Sequence, residues 1–424
     1  MVGSVNGAYQ IISIRLHCRH DMHERLYSVR ITNFKSIRDS RSIYLTPLTV
    51  LIGANGSGKS SLVQGLQTFK VMAEQGLDAA MQMWRGVEHA CHHDAITPEI
   101  CRERGARKWA MSFEIAGRSE GKIFRSHTDL QPSQNHDTIR IWRDVWHPPG
   151  GKTIKWLHPE AIKSAGGSAL EIAKQIDPGF PSMGTKYAAN LRDRPYMSQT
   201  DLTTRWQFLH LVPERIMPPV PRSKTAGRVV LSSTGENLAE FLDEIRKLDL
   251  SAFEAIQEAM KTILPYVSDI RSQAASLVEK TLYLALNDRS LSIGKGRESS
   301  PIPGWMMSTG TLRALAILAV LRHPEPPTLL VVEEIENSLD PRTLALLMDE
   351  IRRAVRTRKT QVILTTHSPQ LLDMVLLKHI IFVDRPADKP PRFRRLTDSK
   401  QVKEWAESFT TGQMLTTGLF RQLL

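Results

Sequence analysis

The sequence predicts an α/β fold with a parallel-rich central sheet, flanking helices, antiparallel N-terminal strands and an inserted helical or lid lobe. Three observations lead there. Residues 48–52 (Leu-Thr-Val-Leu-Ile) form a short apolar run that ends at Gly53, and helical periodicity follows from Lys59 through Leu62, Val63, Leu66 and Phe69. From residue 312 a helix, a strand, a helix and a strand succeed one another (312–322, 328–332, 341–357 and 361–365), an alternation that implies parallel strands covered on both faces. Between these regions, residues 147–235 are rich in Pro and Gly, with Pro148, Pro149, Gly150, Gly151, Gly166, Gly167 and a Pro218–Pro221 cluster, as in a lid with long loops.

Taken in order, residues 1–25 read as an extension, because His17, His20 and His23 and nearby charges break any pattern. Alternation begins at Leu26, with Tyr27, Val29 and Ile31 on one side, then Phe34, Ile37, Ile43 and Leu45. Further strand-like stretches are Trp109, Met111, Phe113 and Ile115, then Ile139 and Ile141 with Val145 in the same phase. Residues 238–264 are amphipathic and divide into two helices around Asp249–Ser251, with Ser251 as the expected N-cap. No heptad pattern lasts long enough for a coiled coil. The expected division is an extension at 1–25, a first part of the main domain at 26–145, an inserted lobe at 146–300 and the rest of the main domain at 301–424.

Composition narrows the class. Apolar residues make up 41% and charged residues 24% of the 424, which excludes disordered, collagen-like and disulfide-framework chains. Three cysteines build no disulfide framework and suit a reducing, cytoplasmic location. No apolar run approaches the ~18 residues of a membrane span. The net charge of +12 is the unusual number and points to an anionic partner.

Residues 53–60 (Gly-Ala-Asn-Gly-Ser-Gly-Lys-Ser) match G-x-x-x-x-G-K-[ST] at every fixed position, between an apolar strand and a helix. The glycines let backbone N–H groups converge on phosphate oxygens, and the helix opening at Lys59 adds its positive end. Lys59 is expected on the β- and γ-phosphates, and the Ser60 hydroxyl on Mg²⁺. The expected nucleotide set is Gly53, Asn55, Gly56, Ser57, Gly58, Lys59, Ser60 and Ser61. A second apolar strand, 328–332, runs into Glu333-Glu334-Ile-Glu336, and carboxylates at the end of a parallel strand sit beside such a loop. Glu333 is expected to take part in holding Mg²⁺, and Glu334 to orient and polarise the attacking water. Asp340-Pro341 starts the next helix, with Asp as N-cap and Pro at N1. His367, just past the strand 361–365, is placed to contact the γ-phosphate.

Together these residues resemble the ABC-type ATPase superfamily of P-loop NTPases, in its non-transporter branch of RecF, SMC and OLD-like AAA-type ATPases. The resemblance runs through 29–37 (Val-Arg-Ile-Thr-Asn-Phe-Lys-Ser-Ile), the phosphate loop, Trp84-Arg85-Gly86, residues 233–238, the signature-like Met307-Ser308-Thr309-Gly310-Thr311-Leu312-Arg313, the acidic strand, the Asp340 loop and His367. It implies an ATPase that dimerises head to tail, with ATP between protomers and with Ser308 and Gly310 of one protomer on the γ-phosphate held by the other. Asp340 belongs to the ATP-contacting set on the same ground. Glu333 stands where most transporters carry Asp, and Ser-Thr-Gly-Thr replaces Ser-Gly-Gly. For the family's Gln-containing loop the candidate is Gln82.

Two rivals fit less well. A transporter subunit is disfavoured by the 280 residues between Gly53 and Glu333, and an intrinsic nuclease by the 55 residues after Pro369. His89, Cys91, His92, His93 and Cys101 are zinc-ligand types at a spacing that matches no standard framework. The excess positive charge gathers in Arg352–Lys359 and Arg385–Arg395, which read either as DNA or RNA phosphate contacts or as a solvated face. The expected function is ATP hydrolysis by a homodimer that acts on DNA or controls a separately encoded nuclease or toxin effector in anti-phage defence. RecF-like repair is the alternative.

Overall fold

The computed structural model describes residues 24–92, 111–132, 139–151, 153–157, 202–222, 227–276, 281–289, 301–357, 359–387 and 389–423. Expectations for Cys18, His93, Cys101, Trp109, Gly166, Gly167 and Arg358 fall outside these residues. The strands in chain order are β1 (Arg25–Phe34), β2 (Ile37–Asp39), β3 (Ile43–Tyr44), β4 (Leu48–Ile52), β5 (Met111–Ser119), β6 (Lys122–Pro132), β7 (Ile139–His147), β8 (Ile154–Leu157) and β9 (Trp206–Leu209). They continue with β10 (Val220–Pro221), β11 (Val267–Ser276), β12 (Thr281–Asp288), β13 (Ile302–Pro303), β14 (Leu329–Val332), β15 (Gln361–Thr366), β16 (Ile380–Asp384) and β17 (Arg392–Arg395). The helices that matter here are α1 (Lys59–Gln75), α2 (Leu77–Gln82), α3 (Leu238–Leu248), α4 (Leu250–Ile263), α5 (Thr309–Leu321), α6 (Pro341–Arg356) and α7 (Pro369–Asp373).

The central sheet has the order β17-β16-β4-β15-β14-β9, parallel throughout except for the antiparallel edge strand β17. Every residue of β4, β14, β15 and β16 is buried. Alternation still decides which face each side chain serves. Val50, Ile52, Leu330, Val332, Val362 and Leu364 join one core. Leu51, Leu329, Val331, Ile363 and Ile381 join the other. The first core is built on α3, α4, α5 and α6, the second on α1 and the antiparallel sheet β2-β1-β5-β6-β7-β8. Helix α5 is buried all round from Thr311 to Leu321, which is why it is apolar on every side and shows no amphipathic stripe. Strand β9 falls within the stretch expected as the inserted lobe, yet it pairs with β14 and forms the edge of the central sheet. Among the described residues, no helix is long and apolar enough to cross a membrane.

Three local expectations need correction. A bulge between Leu26 and Ser28 turns Tyr27 outward, so Leu26 joins Val29 and Ile31 in the core in its place. A second irregularity, at Asp129/Leu130, shifts the pairing of β6 with β7, and Trp146 rather than Val145 reaches the core with Ile141. Asp249, not Ser251, caps α4: its carboxylate accepts the Ala252 N–H at 3.1 Å, and Ser251 donates to the same oxygen.

Because α5 has no solvent face, its apolar side chains are all core. Leu318→Ala should destabilise the protein by about 2–5 kcal/mol, the usual cost of a buried Leu truncation. Urea unfolding of the variant and wild type reads that difference.

Candidate functional site

The phosphate loop lies between the C-terminal end of β4 and the start of α1. Gly58, the N-cap residue of α1, has φ 110°, a conformation that L side chains rarely adopt. A Cβ there would also meet Pro391 at 2.8–2.9 Å, because the β16–β17 hairpin packs on the loop. Asn55 and Gly56 are exposed at the loop apex. Lys59 is 6% exposed and folds back on its own loop, donating to the carbonyls of Gly53 at 2.7 Å and Ala54 at 3.1 Å. Burial lowers its pKa to about 8 against the opposing pull of Glu334, Glu336 and Glu333. The Ser57 hydroxyl is buried without a hydrogen-bond partner among the described residues. A half-desolvated cation and an orphaned hydroxyl in a glycine-rich loop suit a phosphate chain.

The turn of residues 33–36 docks on the first turns of α1. Ser36 Oγ and Ser61 Oγ lie 2.8 Å apart. Lys35 donates to Gln64 Oε1 at 2.7 Å, and its ammonium sits 3.2 Å from the centroid of the Trp84 ring. Burial lowers the Lys35 pKa to about 8, with Glu333 opposing. Trp84 Nε1 in turn donates to Thr68 on α1 at 2.8 Å.

The acidic turn follows β14. Glu333 and Ser60 line one cavity, and burial raises the Glu333 pKa with Ser60 opposing. The Ser60 oxygen and the Glu333 carboxylate thus form an all-oxygen pair of the kind Mg²⁺ takes, and these two residues would hold that ion. Glu334 has φ 47°, a left-handed conformation that costs a non-glycine residue about 1–2 kcal/mol. Several groups hold it there. Its N–H donates to Thr365 Oγ1 at 2.9 Å, its Oε2 accepts from Asn337 Nδ2 at 2.5 Å, and its carbonyl accepts from Arg313 at 2.8 Å. Glu336 reaches across to the turn after β15, where its Oε1 accepts the His367 backbone N–H at 2.5 Å. The His367 imidazole is held below its usual pKa, first by burial and then by the charge of Lys59.

Arg313 ties this turn to α5. It is 4% exposed, and its guanidinium donates to the carbonyls of Leu211 at 2.7 Å, Glu334 at 2.8 Å and Glu333 at 3.5 Å. Burial lowers its pKa, against the pull of nearby carboxylates led by Glu334. One turn earlier, a Cβ on Gly310 would lie 2.4 Å from the Ser338 carbonyl oxygen, so only glycine allows α5 to approach the acidic turn this closely. Ser308 is exposed and caps α5, accepting the Thr311 N–H at 3.1 Å. Asp340 caps α6 through the N–H groups of Arg342 and Thr343.

The expected residues therefore form two groups. The phosphate loop, Glu333, Glu334 and His367 converge. Ser308, Gly310 and Asp340 lie on the other flank of the acidic turn, where Gly310 touches Ser338 and Asp340 is committed to its own helix cap. Gln82 is exposed near the end of α2 and does not line the cavity beside Ser60 and Glu333. Sequence reasoning missed Lys35, His210, Arg313 and Glu336 as parts of the site, although Lys35, Arg313 and Glu336 each lay inside a quoted motif. Cys91 carries no metal-site signal: burial pushes its thiol up to about 12, and no three potential ligands cluster among the described residues. Arg392, Arg394 and Arg395 are half-buried in the edge strand β17, so they are not a fully solvated face.

Two family models match parts of the chain. Residues 25–100 match the family model described as AAA ATPase domain. Residues 226–373 match the model described as AAA domain, putative AbiEii toxin, Type IV TA system. Both partial matches are to AAA-type ATPase domain models, in keeping with the phosphate loop and the acidic turn. Among solved structures, the SMC head domain from Thermotoga maritima is 13% identical, with 88% of this chain and 98% of that one covered and a TM-score of 0.42. The Smc head domain with a coiled coil and joint derived from Pyrococcus yayanosii is 12% identical, with 91% and 99% covered and a TM-score of 0.46. The SmcHead bound to the C-winged helix domain of ScpA is 14% identical, with 87% and 97% covered and a TM-score of 0.45. The comparison with curated proteins returns no match.

Arg313→Lys keeps the charge but loses the planar fork that serves three carbonyls. It should destabilise the protein by about 1–3 kcal/mol, because at least one buried carbonyl is left without its donor. Urea unfolding measures this, and equal stability of variant and wild type would contradict the clamp.

Proposed function

We propose that the protein is a cytoplasmic enzyme that binds ATP with Mg²⁺ and hydrolyses it to ADP and phosphate. The observation that carries this reading is the meeting of two segments 273 residues apart, Ser60 of the phosphate loop and Glu333 of the acidic turn, on the lining of one cavity. In this reading Lys59 leaves the loop carbonyls for the β- and γ-phosphates, and the loop N–H groups and the start of α1 cradle the phosphate chain. Ser60 and Glu333 would hold Mg²⁺, which would supply neutralisation of the phosphate charge. Glu334 accepts the proton of the water that attacks the γ-phosphorus, as the bond to the ADP oxygen breaks. The held backbone of Glu334 keeps that carboxylate aimed during the reaction. His367, tethered through Glu336, reports the γ-phosphate.

The protein acts as a homodimer in this proposal. Ser308, exposed at the N-terminus of α5, offers a hydroxyl and a helix start to the γ-phosphate bound by a second copy. ATP then holds two copies together and hydrolysis releases them. The role we favour is control of a separately encoded effector in anti-phage defence, supported by the toxin–antitoxin wording of the matched family. Direct action on DNA, as in RecF-like repair, is the second reading, and it has its own support. The hairpin bearing Arg385, Lys389, Arg392, Arg394 and Arg395 stands at the sheet edge against the phosphate loop.

Lys59→Ala should abolish ATP binding or turnover. Glu334→Gln should lower kcat by about 10²–10⁴ while ATP stays bound. It should also shift the protein to a dimer in size-exclusion chromatography with ATP; wild-type turnover in this variant would contradict the base assignment. For nucleic acid, duplex DNA affinity should fall as salt rises, and neutralising Arg392 and Arg394 should flatten the log–log slope by up to about 0.9 per lost phosphate contact. Salt-independent affinity, or no binding at low salt, sinks the DNA reading.

A further inference from the structure

We infer that His210 supplies a nitrogen ligand to the cation held by Ser60 and Glu333, giving this ATP site a mixed oxygen–nitrogen donor set that favours Mn²⁺ over Mg²⁺. The inference rests on the proposed reading of the site as a nucleotide–metal centre and adds to it a third protein ligand with a definite chemical consequence.

The fold places His210 with little freedom in its backbone. Strands β9 and β14 are parallel neighbours, with Leu209 opposite Val332. The residues that follow, His210 and Glu333, are therefore side by side at the C-terminal end of the sheet. The pairing persists one step past the strands, because the Glu333 N–H donates to the Leu209 carbonyl at 3.0 Å. On its other side the His210 N–H donates to the Ser233 carbonyl at 2.8 Å. The side chain projects into an open cavity of about 360 Å³ whose lining includes Ser60, Gln64, Trp84, His210 and Glu333.

The donor spacing fits one ion. His210 Nδ1 lies 4.0 Å from Glu333 Oε1, and Ser60 lines the same cavity as both. Two donors on one octahedral ion at about 2.1 Å lie about 3.0 Å apart in adjacent positions or about 4.2 Å apart in opposite ones. The observed separation lies between the two, and a turn of the exposed imidazole about its side-chain torsions adjusts it without moving either strand. The imidazole is 65% exposed and free to turn by its side-chain torsions.

The consequence follows from donor chemistry. Mg²⁺ takes oxygen ligands and keeps several waters, whereas imidazole suits the first-row transition ions and competes poorly for Mg²⁺. A site with hydroxyl, carboxylate and imidazole donors beside phosphate oxygens therefore gains more from Mn²⁺ than an all-oxygen site does.

The test uses the full-length protein with ADP and Mn²⁺, read by pulsed electron paramagnetic resonance for ¹⁴N coupling to the metal. The wild type should show coupling of a directly bound imidazole, and His210→Gln should lose it. In calorimetry, His210→Gln should weaken Mn²⁺-dependent ADP binding at least fivefold and Mg²⁺-dependent binding less than twofold. If ADP and Mn²⁺ bind the wild type without ¹⁴N coupling, or if His210→Gln keeps the coupling, the assignment of His210 is overturned and the nucleotide reading stands. If the wild type binds no ADP with either ion, the nucleotide reading itself fails and His210 falls with it. A circular-dichroism melt of the His210→Gln protein shows that lost coupling does not come from unfolding, and His210→Ala repeats the measurement if the Gln variant melts early.

Discussion

A single buried guanidinium holds the site together. Arg313 points out of α5, a helix with no solvent face, and satisfies carbonyls at the end of the β9 region and at the first two residues of the acidic turn. Burying a charge is expensive unless hydrogen bonds and opposite charges compensate, and here carbonyl dipoles and nearby carboxylates do so. The geometry of Glu334 depends on this bracket. A left-handed glutamate persists only where its surroundings over-determine it, and Arg313, Thr365 and Asn337 each fix one of its groups. The same helix that carries Arg313 begins at Ser308 and presses Gly310 against Ser338. Any displacement of α5 is therefore felt at the acidic turn, and any change at the turn is felt at the exposed start of α5.

In the proposed homodimer, that arrangement would let two ATP sites communicate. The acidic turn would serve the nucleotide of its own protomer, and the start of α5 would meet that of a second copy. A rigid, fully buried helix couples the two without an added device. Glu336 extends the coupling to the turn after β15, so the groups proposed to sense the γ-phosphate and to activate water share one hydrogen-bonded frame.

Much of the central sheet was legible because its signals are local. The apolar run 48–52, the glycine-rich loop and the alternation after residue 312 each reflect a property of a few neighbouring residues. The bulge at Tyr27 and the shifted phase at Val145 were not legible, because one extra residue in a strand leaves composition unchanged while reversing which side chains are buried. Asp249 displaced Ser251 as a cap because both are good capping residues one turn-position apart, and backbone geometry chooses between them. The site divides in the same way. Lys59, Ser60, Glu333 and Glu334 announce themselves by motif and by position at strand ends. Arg313 and His210 acquire their roles only when α5 and β9 are brought against β14 from about 20 and 123 residues away in sequence. An arginine in a helix and a histidine after a strand carry no mark of such a partner.

The phosphate loop and the bracketed acidic turn are proposed to form one ATP site. A crystal structure with Mg²⁺ and a non-hydrolysable ATP analogue tests this. In it Lys59 Nζ should leave the Gly53 carbonyl for the β- and γ-phosphates, one ion should join Ser60 and Glu333, and Arg313 should still hold the Glu334 carbonyl. Analogue bound elsewhere, or Lys59 still on Gly53 with the phosphates present, would contradict it.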